Sequence, residues 1–132
     1  MKEVIDTRFF IEHFYSEQTE TKNKTSKKLR ELIKKREGIL PVITICEVIQ
    51  VTCEKRGKEE AKTRYMSLIR SGLQIQDINQ DIAKEAGLLK CQYRDMPLGD
   101  CIIAAIALLN KAKVLSDDSH FEIMKEIKRT WI

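Results

Sequence analysis

Hydrophobic residues in this chain recur in short runs, separated by longer stretches in which they follow a helical period. Four runs predict short strands: Val4-Ile5, "ILPVI" after Gly38, "GLQIQ" after Ser71, and Lys113-Val114-Leu115. Between them, apolar residues three and four positions apart predict helices. Strands that alternate with helices of about ten residues or more favour a parallel sheet covered on both faces. The pattern therefore predicts an α/β fold, a three-layer α/β/α sandwich with a mainly parallel central sheet.

Two segments depart from this alternation. The nine residues from Cys101 to Leu109 are all apolar, which predicts a helix buried nearly all round. The stretch "SEQTETKNKT", residues 16–25, is polar and has no apolar period, so it predicts a loop. A helix should follow it, with Leu29, Leu32 and Ile33 on one face.

Composition places the chain among globular proteins. Its 132 residues, 42% of them hydrophobic, fit one domain. No apolar run approaches the roughly 18 residues of a membrane span. The opening "MKEVIDTRFF" lacks the apolar segment of a secretory signal, so we expect a cytoplasmic protein. The four cysteines form no CxxC pair, which argues against a zinc site, and we interpret them as small buried hydrophobes.

Positive charge is concentrated in one segment. Residues 22–37 contain eight Lys or Arg and two Glu, a net +6 that leaves −2 for the rest of a chain totalling +4. Such asymmetry is typical of a surface that faces nucleic acid, although a solvated helix face has the same composition.

Four acidic positions follow predicted strands, and each has a structural explanation. Asp6 comes directly after the first strand and can cap a helix. Thr44-Ile45-Cys46-Glu47 matches a T-x-x-E capping box, which would give Glu47 a purely structural role. Asp100 lies in the first turn of the apolar helix, where the helix dipole favours a carboxylate. Asp117 and Asp118 follow the last strand and can cap what comes next.

Together these positions indicate a shared site. In a parallel sheet, the strand ends and the starts of the following helices lie at one edge, where ligands bind. Asp6, Glu47, Asp100 and either Asp117 or Asp118 should therefore converge there. Carboxylates without a counter-charge repel one another, and hard oxygen ligands of this kind suit Mg²⁺ or Mn²⁺.

The segments "VIDT", "TICEV", "LGDCIIAAIAL" and "VLSDDSHF", in this order, resemble a PIN-domain ribonuclease. They are most similar to the VapC-type toxins of toxin–antitoxin pairs. The resemblance runs from Asp6 to about Phe121 and implies a single PIN-like domain over residues 1–132. Its most distinctive piece is the D-x-x-I-A-A pattern from Asp100 to Ala105.

The resemblance implies a metal-dependent ribonuclease that hydrolyses single-stranded RNA and leaves a 5′-phosphate. Its metal ligands and catalytic acids would be Asp6, Glu47, Asp100 and Asp118, around one or two Mg²⁺ or Mn²⁺ ions. Asp118 fits the spacing better than Asp117. Ser116 takes the place of the family's small hydroxyl residue after the last strand. The resemblance also implies an antitoxin protein as partner, and a homodimer surface.

Two alternatives remain at the level of sequence. A phospho-receiver domain also gathers carboxylates around Mg²⁺, but it should carry a lysine after the last strand, where this chain has Ser116-Asp117-Asp118. A catalytically silent interaction module of the same fold would keep the acids only as caps. His13 and His120 are further candidates for a general base, less favoured than the acids.

Overall fold

The centre of the molecule is a five-stranded sheet in which every pair of neighbours is parallel. The structure is a computed structural model that describes residues 1–132. Its strands are β1 (Glu3–Ile5), β2 (Gly38–Pro41), β3 (Gln74–Gln76), β4 (Lys113–Leu115) and β5 (Arg129–Thr130). They lie in the order β3-β2-β1-β4-β5. The chain therefore adds β2 and β3 on one side of β1, and then adds β4 and β5 on the other side. The crevice at the carboxyl ends of β1 and β4 is thus a topological switch point, where open α/β sheets bind ligands.

Helices cover both faces, which confirms the predicted three-layer α/β/α sandwich. One layer contains α1 (Thr7–Tyr15), α2 (Thr19–Lys35), α3 (Val42–Arg56) and α4 (Lys58–Ile69). The other contains α5 (Gln80–Gln92), α6 (Leu98–Asn110) and a short 3-10 helix (Ser119–Ile123). None of the helices has both the length and the hydropathy that crossing a bilayer would require.

The hydrophobic core is divided between the two faces of the sheet. Val4 and Val114 pack toward α5 and α6, whereas their neighbours Ile5 and Leu115 pack toward α1, α2 and α3. Successive strand residues point to opposite faces, so each two-residue apolar run serves both layers. This double burial explains why the central strands β1 and β4 contain continuous apolar pairs instead of an alternating pattern.

Residues 19–25, predicted as a loop, form the first part of α2. The segment folds as a helix despite its polarity because only a narrow stripe packs inward. Thr25 is fully buried and its Oγ1 lies 3.0 Å from Nδ1 of His13, and Leu29 continues the same stripe. On the outer surface Lys24 pairs with Glu20 one turn earlier, at 3.2 Å, a spacing that supports an exposed helix.

The capping-box interpretation of Glu47 is wrong. Helix α3 begins at Val42, two residues before Thr44. The buried Thr44 hydroxyl donates instead to the backbone carbonyl of Ile5, at 2.9 Å, and so joins α3 to the end of β1. Glu47 therefore lies in the second turn of α3, and its carboxylate caps no helix.

Two smaller predictions also fail. A fifth strand, Arg129–Thr130, follows β4, and its two residues are too few to leave a periodic signal. Cys46, Cys53 and Cys91 are exposed, so only Cys101 is a buried hydrophobe. The first two lie on the outer side of α3, opposite the buried stripe that contains Val48.

Candidate active site

Asp6 and Ser116 meet at the switch point between β1 and β4. Asp6 occupies the N-cap position of α1, yet its side chain makes no capping hydrogen bond. Its Oδ2 accepts a hydrogen bond from the Ser116 hydroxyl at 2.6 Å. Asp6 is only 4% exposed and Ser116 is fully buried. The ends of two adjacent strands thus bring a carboxylate and a hydroxyl into direct contact.

The loop after β4 separates its two adjacent carboxylates. The Asp118 backbone N–H donates to Ser116 Oγ at 3.0 Å, and Asp118 Oδ1 accepts from the His120 N–H at 2.9 Å, which caps the 3-10 helix. Asp117 turns away and accepts from both the Nε and an Nη of Arg8, at 2.9 and 3.2 Å. The structure therefore places Asp118, and not Asp117, on the side of Asp6 and Asp100.

Glu47 reaches the same edge of the sheet from α3. Its Oε1 accepts a hydrogen bond from the hydroxyl of Thr7, the first residue of α1, at 2.7 Å. Its Oε2 lies against the first turn of α6, where a Cβ built on Gly99 would be 3.1 Å away. The missing side chain at Gly99 is what allows Glu47 to lie this close to α6.

Asp100 lies in that first turn of α6 and is half-buried. Potential ligand atoms of Asp100, Asp118 and His120, one from each, all lie within 4.8 Å of one another. The negative charges of Asp6 and Glu47 also raise the pKa of Asp100. Asp100 therefore interacts electrostatically with each of the other three carboxylates.

Burial and mutual repulsion make the ionised carboxylates costly. Burial is the main cause that raises the pKa of Asp100 to about 7, and the charges of Asp6, Asp118 and Glu47 raise it further. Burial likewise raises the pKa of Asp6 to about 6, although the hydrogen bond from Ser116 opposes this rise. A divalent cation would relieve both costs, because it supplies the positive charge that the surrounding side chains do not. Buried carboxylate oxygens are also the donors that Mg²⁺ and Mn²⁺ prefer, so the site fits such an ion.

The sequence did not identify every residue that shapes this site. Thr7 orients Glu47, Gly99 makes room for it, and Arg8 holds Asp117 aside. His120, which the sequence suggested only as a general base, borders Asp118, with Nδ1 2.8 Å from Oδ1. A glycine directly before Asp100 was the one visible signal, since glycine in a helix start indicates a close approach by another group.

Comparison with solved structures finds the same fold over nearly the whole chain. One similar chain comes from the crystal structure of VapBC2 from Rickettsia felis bound to a DNA fragment of the VapBC2 promoter. Its TM-score is 0.80 at 16% sequence identity, and the match covers 99% of this chain and 98% of that chain. DNA-bound VapBC from Salmonella typhimurium gives a TM-score of 0.78 at 17% identity, covering 99% and 98%. VapC20 from Mycobacterium tuberculosis, a sarcin-ricin loop cleaving toxin, gives 0.72 at 13% identity, covering 93% and 95%.

Comparison of the sequence with curated proteins gives no match. The family model described as "PIN domain" matches residues 4–127, which include β4, the last two residues of β1 and all four carboxylates. A receiver domain is therefore excluded as the family of this protein. With nearly the whole chain matched by that model, the protein belongs to the PIN domain family.

Proposed function

We propose that this protein is a metal-dependent ribonuclease and acts as the toxin of a toxin–antitoxin pair. The observation that supports it most directly is the group of four acids, Asp6, Glu47, Asp100 and Asp118, at the switch point of a PIN domain. Burial, together with repulsion from the other three acids, raises the pKa of Asp100 to about 7, which is costly for a merely structural cluster. A site that binds a divalent cation explains the cost, because function commonly retains such unfavourable charge.

Asp6, Glu47, Asp100 and Asp118 would hold one or two Mg²⁺ or Mn²⁺ ions. When bound, the metal lowers the pKa of a water and stabilises negative charge on the phosphate that is attacked. The Ser116 hydroxyl fixes one oxygen of Asp6, and the Thr7 hydroxyl fixes one oxygen of Glu47. Each carboxylate thus keeps its second oxygen in a defined direction, which preorganises the site.

RNA is the proposed substrate, and a basic cavity on α2 gives it a second contact. A cavity of about 330 Å³ is lined by Lys24, Lys27, Lys28, Glu31, Trp131 and Ile132. Trp131 directly follows β5, toward the carboxyl edge where the acids lie, whereas Lys28 pairs at 2.7 Å with Glu3 at the amino end of β1. Trp131 is half-buried against Phe9, and the combination of lysine with an accessible aromatic ring is one by which proteins hold single-stranded nucleic acid, through phosphate contacts and base stacking.

A cleavage assay with matched variants tests the nuclease. Wild-type protein should cut single-stranded RNA with Mg²⁺ or Mn²⁺, stop when EDTA is added, and leave 5′-phosphate ends. Asp100→Asn should reduce the rate at least about a hundredfold, because it removes a ligand charge from the site. Asp81→Asn is the control, since Asp81 lies in the first turn of α5 and is exposed. Like Asp100→Asn, the Asp81→Asn variant loses a carboxylate from the first turn of a helix, but it should cut RNA at the wild-type rate.

Other outcomes would contradict this proposal in distinct ways. Cleavage that continues in EDTA would remove the metal from the mechanism. Equal activity of Asp100→Asn and Asp81→Asn would make Asp100 a plain helix residue. A folded protein that binds a partner and cuts neither RNA nor single-stranded DNA would be a silent interaction module.

The RNA contact is tested by salt dependence. Replacing Lys24 and Lys27 with Gln should weaken RNA binding and lower the log–log salt slope by roughly 0.7 for each lost phosphate contact. The same double change at Lys34 and Lys35, near the other end of α2, is the charge-matched control. Equal salt slopes for the two double variants would show that Lys24 and Lys27 make no specific phosphate contacts and that the basic segment acts only through its overall charge.

An antitoxin protein and a second copy of this chain are the proposed partners. The similar structures include VapBC complexes, and one of them is described as a member of a family of toxin-antitoxin systems. Expression of the wild type alone should arrest growth, and co-expression with a small protein encoded beside it should restore growth. Arrest by Asp100→Asn as strong as that by wild type would separate toxicity from the metal site. Sedimentation of the purified protein would establish whether it forms a dimer.

A further inference from the structure

His120 lies at the opening of the acidic site and is oriented toward it. Its Nδ1 is 2.8 Å from Asp118 Oδ1, and its backbone N–H donates to the same oxygen. The side chain is 62% exposed, so it can adjust without disturbing the core. Of the two histidines in the chain, only this one adjoins the acids, since Nδ1 of His13 contacts Thr25 instead.

The contact with Asp118 suits a metal-binding imidazole. The 2.8 Å between Nδ1 and Oδ1 is close to the roughly 3.0 Å that separates adjacent ligands about 2.1 Å from one ion. An ion bound beside both atoms would take the place of the proton between them, because metal ligands must be deprotonated. The remaining oxygen of Asp118 stays available, because both His120 contacts are made to Oδ1.

We propose that His120 is a direct ligand of the ion, together with Asp100 and Asp118, and that its nitrogen makes the site prefer Mn²⁺ to Mg²⁺. The inference rests on the metal-dependent function proposed above and specifies which ion that function uses.

The distances support one shared ion. Potential ligand atoms of the three residues lie within 4.8 Å of one another. Oxygen and nitrogen ligands about 2.1–2.2 Å from one ion are at most about 4.4 Å apart, so small side-chain rotations bring all three into range. Asp6 and Glu47 each have one oxygen occupied by a hydroxyl, of Ser116 and Thr7 respectively. A ligand from His120 would therefore replace a carboxylate oxygen that already accepts a hydrogen bond within the protein.

The chemistry of imidazole determines the preference. Mg²⁺ takes oxygen ligands in a strict octahedron and gives up its waters reluctantly, so an imidazole adds little to its binding. Affinity for nitrogen ligands rises along the first-row divalent ions, from Mn²⁺ through Co²⁺ to Ni²⁺. Removing the imidazole should thus weaken Mn²⁺ and Co²⁺ binding while leaving Mg²⁺ binding nearly unchanged.

Calorimetric titration of the full chain with MnCl₂, CoCl₂ and MgCl₂ tests this inference without measuring cleavage. For His120→Ala, Kd for Mn²⁺ should rise about tenfold and Kd for Co²⁺ by more, while Kd for Mg²⁺ stays within about twofold. His120→Gln keeps a polar group beside Asp118 but lacks the imidazole, so it should behave like His120→Ala. Pulsed electron paramagnetic resonance of bound Mn²⁺ should detect coupling to a coordinated ¹⁴N in wild type and not in either variant.

Equal weakening of all three ions, or no change for any of them, would overturn the role of His120. In both cases metal binding by the wild type, and with it the proposed nuclease, would stand. Failure of wild-type protein to bind Mn²⁺ or Mg²⁺ at all would overturn this inference together with the proposed function. The two failures are thus distinguished by the wild-type titration.

Discussion

Replacing Asp6 with Asn should stabilise the metal-free protein at alkaline pH. Asp6 is buried, ionised and close to other carboxylates, whereas Asn has the same shape and no charge. The Ser116 hydroxyl can still donate to the amide oxygen, so the hydrogen bond that closes the switch point is kept. The variant therefore removes the cost of ionising Asp6 with little change in packing.

The size of the effect follows from the pKa of Asp6. At about 1.4 kcal/mol for each pH unit, a rise from 3.8 to about 6 means that ionising Asp6 costs the fold about 3 kcal/mol. This value already includes the opposing hydrogen bond from Ser116, but the amide nitrogen of Asn is a new buried donor and costs about 1 kcal/mol. A net gain of about 2 kcal/mol should raise Tm by about 7 °C in a chain of 132 residues.

The pH dependence has a definite sign. Because the pKa of Asp6 is higher in the folded protein than in the unfolded chain, the folded state binds more protons between 3.8 and about 6. The stability of wild type should therefore fall as pH rises through this window, and the advantage of Asp6→Asn should appear there and be complete above it. At a pH near 4 the two proteins should melt at nearly the same temperature.

Thermal unfolding in EDTA at several pH values measures this difference. Asp77→Asn, at an exposed carboxyl, is the control and should shift Tm by no more than about 2 °C at any pH. Saturating Mn²⁺ should reverse the order, because only wild type binds the ion fully. A Tm for Asp6→Asn that is lower than wild type at about pH 8, or higher by the same amount at pH 4, would refute the reasoning.

Three further changes test individual contacts. Gly99→Ala should raise the free energy of unfolding by up to about 1 kcal/mol, because alanine has the higher helix propensity. The new methyl group would lie 3.1 Å from Oε2 of Glu47, so the variant should bind Mn²⁺ about tenfold more weakly, and an unchanged calorimetric affinity would contradict this. Asp117→Asn should keep Mn²⁺ affinity within about twofold, whereas Asp118→Asn should lose at least about tenfold, and equal losses would show that both carboxylates face the ion. Ser116→Ala should lower the free energy of unfolding by about 1–3 kcal/mol, because it leaves the buried Asp6 carboxylate without its hydrogen-bond donor. In the same urea-unfolding measurement, Ser119→Ala, at an exposed serine, should have no effect.

Much of the fold was predictable because it depends on local spacing. Short apolar runs between helical periods indicate buried parallel strands, and the nine apolar residues after Asp100 indicate a helix against the sheet. The same logic placed the acids at one edge, since all parallel strands of a sheet end on the same side. The spacing did not indicate the start of α2, where Thr25 is the only buried residue before Leu29 and Leu32 continue the inward stripe.

The sequence by itself determined that carboxylates would gather at the carboxyl ends of the strands, but only the tertiary structure decided which of them face one another. Asp117 and Asp118 are adjacent and chemically identical, so nothing local distinguishes them. The distinction is made by Arg8, a side chain 109 positions away, which pairs with Asp117. The capping-box pattern failed for the same reason. The Thr44 hydroxyl donates to the backbone carbonyl of Ile5, 39 positions away, and the Glu47 carboxylate accepts from the Thr7 hydroxyl. Short hydrogen-bonding patterns allow several partners, and the choice among them depends on groups that only the folded chain brings within reach.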